Sequence, residues 1–196
     1  WSSGNFMTSG WTFPSGQASW AFAGSSVPNT LPPPGASLPT AFFTNSPVYS
    51  NYSNELVCPI INATAFASGA IYLSYKLSFL GISTATAEQF AVEYKPVTSA
   101  TWFLLMNYTN AGGSFNTAPV NILLPGMAGQ NFQIRFRPFG INSSNISQWA
   151  LDDINIIAAP PCSGPPNPGN TLSLTLYPCP GTCDTLYLQN ASSLGT

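Results

Sequence analysis

The run Ile71-Tyr-Leu-Ser-Tyr-Lys-Leu-Ser-Phe79 decides the fold class. Ile71, Leu73, Tyr75, Leu77 and Phe79 fall on one side of an extended chain, and Tyr72, Ser74, Lys76 and Ser78 on the other, because successive side chains of a β-strand point to opposite faces. The same period of two recurs at Phe90, Val92 and Tyr94, and at Trp102, Leu104, Met106 and Tyr108. It recurs again at Phe132, Ile134 and Phe136, with Arg135 and Arg137 turned away from that apolar set. Between the runs lie breakers: Lys95-Pro96, Asn110-Ala-Gly-Gly113, Pro125-Gly126 and Pro138-Phe-Gly140. Short strands at such spacing, with almost no helical pattern, specify an all-β antiparallel sandwich.

Composition bounds what such a sandwich can do. The chain has 196 residues, enough for one domain with an appendage, and its 44% hydrophobic content is incompatible with wholesale disorder. Charged residues make up only 5%, against roughly 25% in ordinary soluble domains, so solubility falls to Ser, Thr, Asn and attached glycans. There are four Lys plus Arg, six Asp plus Glu and no His. Without His, Ser-His-Asp, Cys-His and His-metal chemistry is excluded. A glycosidase needs two carboxylates across a cleft, and Glu55, Glu88 and Glu93 lie in segments with no such signature. Glu88 and Glu93 also take opposite faces of any regular strand they share. The expectation is a non-enzyme that requires no cofactor. Four basic residues and a net charge of −2 make no electrostatic footprint for nucleic acid, and no run of about 18 apolar residues is present to span a membrane.

Two of the six acids stand together, Asp152 and Asp153, within Trp149-Ala-Leu-Asp-Asp-Ile-Asn-Ile156. In an unbulged strand Ala150, Asp152, Ile154 and Ile156 share one face, and Trp149, Leu151, Asp153 and Asn155 the other. Asp152 then lies on the more apolar side, where a carboxylate must be compensated. A structural calcium with Asp152 and Asp153 as ligands and loop carbonyls around it is one solution. Hydrogen bonds from backbone NH groups or an Arg, fixing the closing strand, are the other, and both stay open.

The remaining signals are those of a secreted or cell-surface product. The chain begins at Trp1, which suits a mature secreted product or a fragment of a longer chain. Cys58, Cys162, Cys179 and Cys183 form an even set, read as disulfides with Cys179 to Cys183 and Cys58 to Cys162 as the favoured pairing; buried free thiols are the alternative. Sequons occur at Asn51, Asn62, Asn107, Asn142, Asn145 and Asn190, and Asn142 and Asn145 lie in the most polar loop. Five prolines between Ala159 and Asn170 read as a linker. The predicted organisation is a sandwich over 1–159, a Pro-rich linker over 160–170 and a C-terminal β tail over 171–196, whose Leu172, Leu174 and Leu176 alternate with polar residues.

The order of these signals resembles MAM-type jelly-roll modules, a group to which reelin-like repeats and many carbohydrate-binding modules are similar. Gly10-Trp11 and Trp20, the strand from Ile71 to Phe79, Phe90-Ala-Val-Glu-Tyr94 with Thr101-Trp102, Phe132-Gln-Ile-Arg-Phe136, Trp149-Ala-Leu-Asp-Asp-Ile154 and Cys162 carry the resemblance, over about residues 5 to 162. It implies a jelly roll and a calcium site. The chain departs from the pattern in having no early Cys pair and in placing Met7 after Phe6, where such modules often carry an acid. Two functions are expected. One is an extracellular structural or adhesive module that assembles into a homo-oligomer or fibre, Leu172, Leu174 and Leu176 adding a strand to a neighbour or packing on their own domain. The other is a carbohydrate-binding module with Trp11, Trp20, Phe42, Phe43, Tyr49 and Tyr52 as sugar-stacking candidates. Its partners would be extracellular proteins or glycans.

Overall fold

The computed structural model describes residues 9–15, 20–23, 40–159, 170–173 and 186–189. The chain divides into two compact units, residues 1–160 and 161–196. In chain order the first carries β1 (Trp20–Ala23), β2 (Thr40–Thr44), β3 (Ser50–Ser53), β4 (Leu56–Val57), β5 (Ile61–Asn62), β6 (Ala70–Gly81) and β7 (Glu88–Pro96). It continues with β8 (Phe103–Thr109), β9 (Phe115–Asn116), β10 (Val120–Leu123), β11 (Asn131–Asn142) and β12 (Ile146–Ala159). In the second unit β13 (Asn170–Ser173) pairs antiparallel with β14 (Leu186–Gln189). Among the described residues the only helical elements are two 3-10 turns, Asn110–Gly112 and Ser143–Asn145, so no helix there is long and apolar enough to cross a membrane.

The first unit is an all-β antiparallel sandwich. Sheet I has the order β1-β2-β12-β6-β10, with β9 also on β6; sheet II has the order β3-β11-β7-β8, with β4 and β5 also on β11. The alternation that marked β6 is kept: Ile71, Leu73, Tyr75, Leu77 and Phe79 are all at most 2% exposed and join one core with Phe90, Val92, Phe132, Ile134, Phe136, Trp149 and Leu151. Full burial of such side chains contributes on the order of 1.5–3 kcal/mol each. Aromatic rings join the two sheets. Phe90 of sheet II lies 5.2 Å from Trp149 of sheet I, and the Tyr75 and Tyr108 hydroxyls bond across the gap at 2.8 Å.

Two bulges change what strict alternation predicted. In β12 the register runs Asp152↔Lys76 and then Asn155↔Ser74, so Asp153 and Ile154 together oppose Tyr75, and Asp153 takes φ 50°. The bulge shifts the side-chain phase. Trp149 and Leu151 face the core before it, and Ile154, Ile156 and Ala158 pack on the core after it. Asp152 shares the opposite, outer side of sheet I with Lys76, which corrects its expected place beside Ile154 and Ile156. In β8 the pairs Val92↔Met106 and Glu93↔Leu104 leave Leu105 as the extra residue, so Leu104 turns outward and is 61% exposed.

Cys58 is a free, buried thiol, so the expected Cys58 to Cys162 bridge is not formed. Its Sγ instead accepts the Ile134 NH at 3.0 Å, and burial pushes the thiol up to about 11 despite that bond. Cys162, Cys179 and Cys183 lie outside the described residues.

A charged and aromatic face on sheet II

The outer side of sheet II gathers half of the chain's charge. Phe132, Ile134 and Phe136 of β11 point inward, so Gln133, Arg135, Arg137 and Phe139 point outward; the β11–β7 register sets Arg135 opposite Glu93 and Gln133 opposite Lys95. Arg135 donates from Nε to Glu93 at 2.7 Å and from a terminal nitrogen to Glu55 at 2.5 Å. Arg137 donates twice to Glu93, each bond 3.0 Å long. Glu93 is therefore held by two guanidinium groups. Burial alone would raise its pKa, but the hydrogen bonds and charges of Arg137 and Arg135 outweigh that and hold it below the usual carboxylate range.

Aromatic rings stand at both ends of this ion-pair network. Arg135 lies 4.5 Å from the centre of the Trp102 ring and the Lys95 ammonium 4.8 Å from it, while Arg137 lies 4.3 Å from the Phe139 ring. The result is a row, Trp102, Arg135, Glu93, Arg137, Phe139, with Glu55 and Lys95 beside it. Arg135 and Phe139 are four residues apart on one strand, which spaces their backbones by roughly 13 Å. Five of the ten charged residues of the chain belong to this face.

The acid pair on sheet I is built differently. Asp152 is 1% exposed; its carboxylate accepts from the Thr40 hydroxyl at 2.9 Å and the Asp153 NH at 2.7 Å. Burial raises its pKa, which those two bonds only partly offset. Asp153 pairs with Lys76 at 2.7 Å. Among the described residues no three His, Cys, Asp or Glu side chains converge as metal ligands.

The expected stacking platform is taken up elsewhere. Trp20, Phe42, Phe43 and Tyr52 are between 0% and 6% exposed, with Trp20 and Tyr52 both against Phe43. Phe42 joins Ala150 in a separate buried cluster. Trp11 stacks on Phe136, and Tyr49 is half-buried against the core. Strand pairing of β1, β2 and β3 turns Trp20, Phe43 and Tyr52 into the core between the sheets, while Phe42 is buried on the other side of sheet I. Phe139 and the face-forming role of Trp102 were missed; the outward turn of Arg135 and Arg137 was the signal that pointed to their face.

Among the sequons, Asn51, Asn62 and Asn107 are exposed and Asn142 is half-buried. Asn145 is 8% exposed and donates to Thr86 at 2.5 Å, so it is not the accessible loop position expected; Asn190 lies outside the described residues. Of the tail residues, Leu172 falls in β13, and Leu174 and Leu176 lie outside the described residues.

No protein-family model matches the chain, and no curated protein does. Solved structures similar to it are carbohydrate-binding modules. The C-terminal family 22 module of Clostridium thermocellum Xyn10B is 14% identical, with 76% of this chain and 85% of that one covered and a TM-score of 0.42. The CBM22-1 xylan-binding domain of Paenibacillus barcinonensis Xyn10C is 9% identical over 78% of this chain and 87% of that one, with a TM-score of 0.41. CBM27-1 of Caldicellulosiruptor saccharolyticus, in complex with mannohexaose, is 12% identical over 71% of this chain and 90% of that one, with a TM-score of 0.40.

Proposed function

We propose that the first unit is a non-catalytic, extracellular carbohydrate-binding module whose ligand lies along the outer face of sheet II. The observation that supports it is the row Trp102, Arg135, Glu93, Arg137, Phe139. A pyranose presents an apolar CH face and a rim of hydroxyls. Aromatic rings suit the first; guanidinium donors and carboxylate acceptors, already held rigid by their mutual bonds, suit the second. The carboxylates on this face are tied to arginines, an arrangement for holding hydroxyls in place. Isothermal titration against xylo-, manno- and gluco-oligosaccharides, backed by a glycan array, tests the reading. Binding that Trp102→Ala and Phe139→Ala abolish supports it; no binder on the array, or binding indifferent to both changes, overturns it.

A second reading, homotypic contact between copies of this chain, is supported by β8. It is an edge strand of sheet II without a charged residue, and it exposes 46% of Phe103, 61% of Leu104 and 37% of Met106. Such an edge is open to strand pairing. Leu104→Lys should shift any oligomer toward monomer in light scattering; a monomeric unmodified chain at high concentration sinks this reading and leaves the first intact.

A further inference from the structure

Glu88 is the one described carboxylate with no cation beside it. It lies on the inner side of sheet II with Phe90 and Val92 and is 0% exposed. All four basic residues of the chain are engaged elsewhere: Lys76 with Asp153, Arg135 and Arg137 with Glu93, and Lys95 on Trp102. One carboxylate oxygen, Oε1, accepts from the Thr86 hydroxyl, from the Asn142 NH at 3.0 Å and from Asn145 Nδ2 at 3.4 Å. The other, Oε2, has no partner. A buried anionic oxygen left so is among the costliest arrangements in a protein interior.

The surroundings are rich in oxygen. The Tyr52 phenol is 6% exposed; burial, then the Glu88 charge and a hydrogen-bonding approach to the Glu88 carboxylate, push its pKa strongly upward, although the geometry falls short of a closed bond between the two. The backbone has made way for the carboxylate, since a Cβ on Gly140 would stand 1.9 Å from Oε2 and 3.0 Å from the Ala87 carbonyl oxygen. Thr86 Oγ1 approaches both Glu88 and Asn145 closely. A half-turn of the Asn145 carboxamide, whose nitrogen and oxygen are interchangeable in shape, would set its oxygen where the nitrogen now stands, beside Thr86 and Glu88.

We infer that these groups hold one small, hard cation. Its donors are the Glu88 carboxylate, Thr86 Oγ1, the Tyr52 oxygen, the Ala87 carbonyl and the Asn145 side-chain oxygen, an all-oxygen set of the kind that hard cations take. The single carboxylate matches the charge of sodium; calcium is the alternative ion of the same chemistry. The ion ties β3, β7 and the β11–β12 connection together at one end of the core. The site is independent of the glycan-binding face.

The test is the melting temperature of the full chain, freed of metal by chelator and measured at equal ionic strength in choline chloride, sodium chloride and calcium chloride. A rise of roughly 3 °C or more over choline in sodium or calcium is expected, with the preferred ion identified by the larger rise. The rise should vanish in Glu88→Gln and persist in Asp152→Asn. Should Glu88→Gln fail to fold, Thr86→Val reads the same loss. Equal melting temperatures in all three salts overturn the inference. Cation dependence that survives both Glu88→Gln and Thr86→Val, or that only Asp152→Asn removes, overturns it too.

Discussion

The outer faces of the two sheets each carry an ion-paired group, and they are built on opposite plans. On sheet I the charges are neighbours in sequence: Asp152 and Asp153 share a bulge and reach one lysine. On sheet II they are scattered, Glu55, Glu93 and Arg135 being up to 80 residues apart, and only strand register assembles them. The first group serves the strand it sits in. The second spans β7 and β11 on the outer side of sheet II and is flanked by rings, its ion-paired side chains only 8–21% exposed. Adjacency in a sequence therefore marks local geometry here, while the charged and aromatic row of sheet II is a product of topology.

The comparison can be broken most severely at Glu93. Glu93→Ala strands Arg135 and Arg137 without a shared partner, and urea titration should show a loss of about 3 kcal/mol; a loss no larger than that of Asp153→Asn would erase the distinction. Next in size, Trp102→Ala should weaken oligosaccharide affinity tenfold or more, about 1.4 kcal/mol, while Asp153→Asn leaves it unchanged by titration calorimetry. Acid titration separates the faces by sign. The Glu93 pKa is lowered in the folded state, so its stabilisation is present above about pH 4.5 and is lost as pH falls through the depressed value. The Asp152 pKa is raised, so its ionisation costs stability as pH rises through the carboxylate range, and that cost is relieved at lower pH. Glu93→Ala should flatten the acid side of the stability curve and Asp152→Asn should steepen it, each followed by tryptophan fluorescence in urea. Smallest of all, Asp153→Asn should cost 0–1 kcal/mol, roughly the range for a partly exposed pair, since the Asp153 side chain is 31% exposed.

Much of this was legible in the residues before any coordinates. The β6 alternation fixed an inner and an outer side correctly, as did the opposite parity of Glu88 and Glu93: the first is buried in the core and the second lies on the outer face. Arg135 and Arg137 were placed outward for the same reason. Period-two reasoning fails where the period itself slips, at Asp153 and at Leu105, and nothing in either tripeptide announces a bulge. It is also blind to pairing partners. Phe43 and Tyr52 were expected as sugar-stacking candidates, yet β2, between β1 and β12 in sheet I, and β3, at the edge of sheet II, turn both to the same core. Trp102 could not be matched to Lys95 and Arg135 without the register of three strands.

The bulge at Asp153 makes β12 a strand with two phases. Its first half and its second half each satisfy the core, but with opposite parity. Removing Asp153 would restore plain alternation, in which Ile154, Ile156 and Ala158 still follow Leu151 on the core side. The extra residue therefore serves the acid pair rather than the core: at that point the Asp153 NH reaches the Asp152 carboxylate and the Asp153 side chain reaches Lys76.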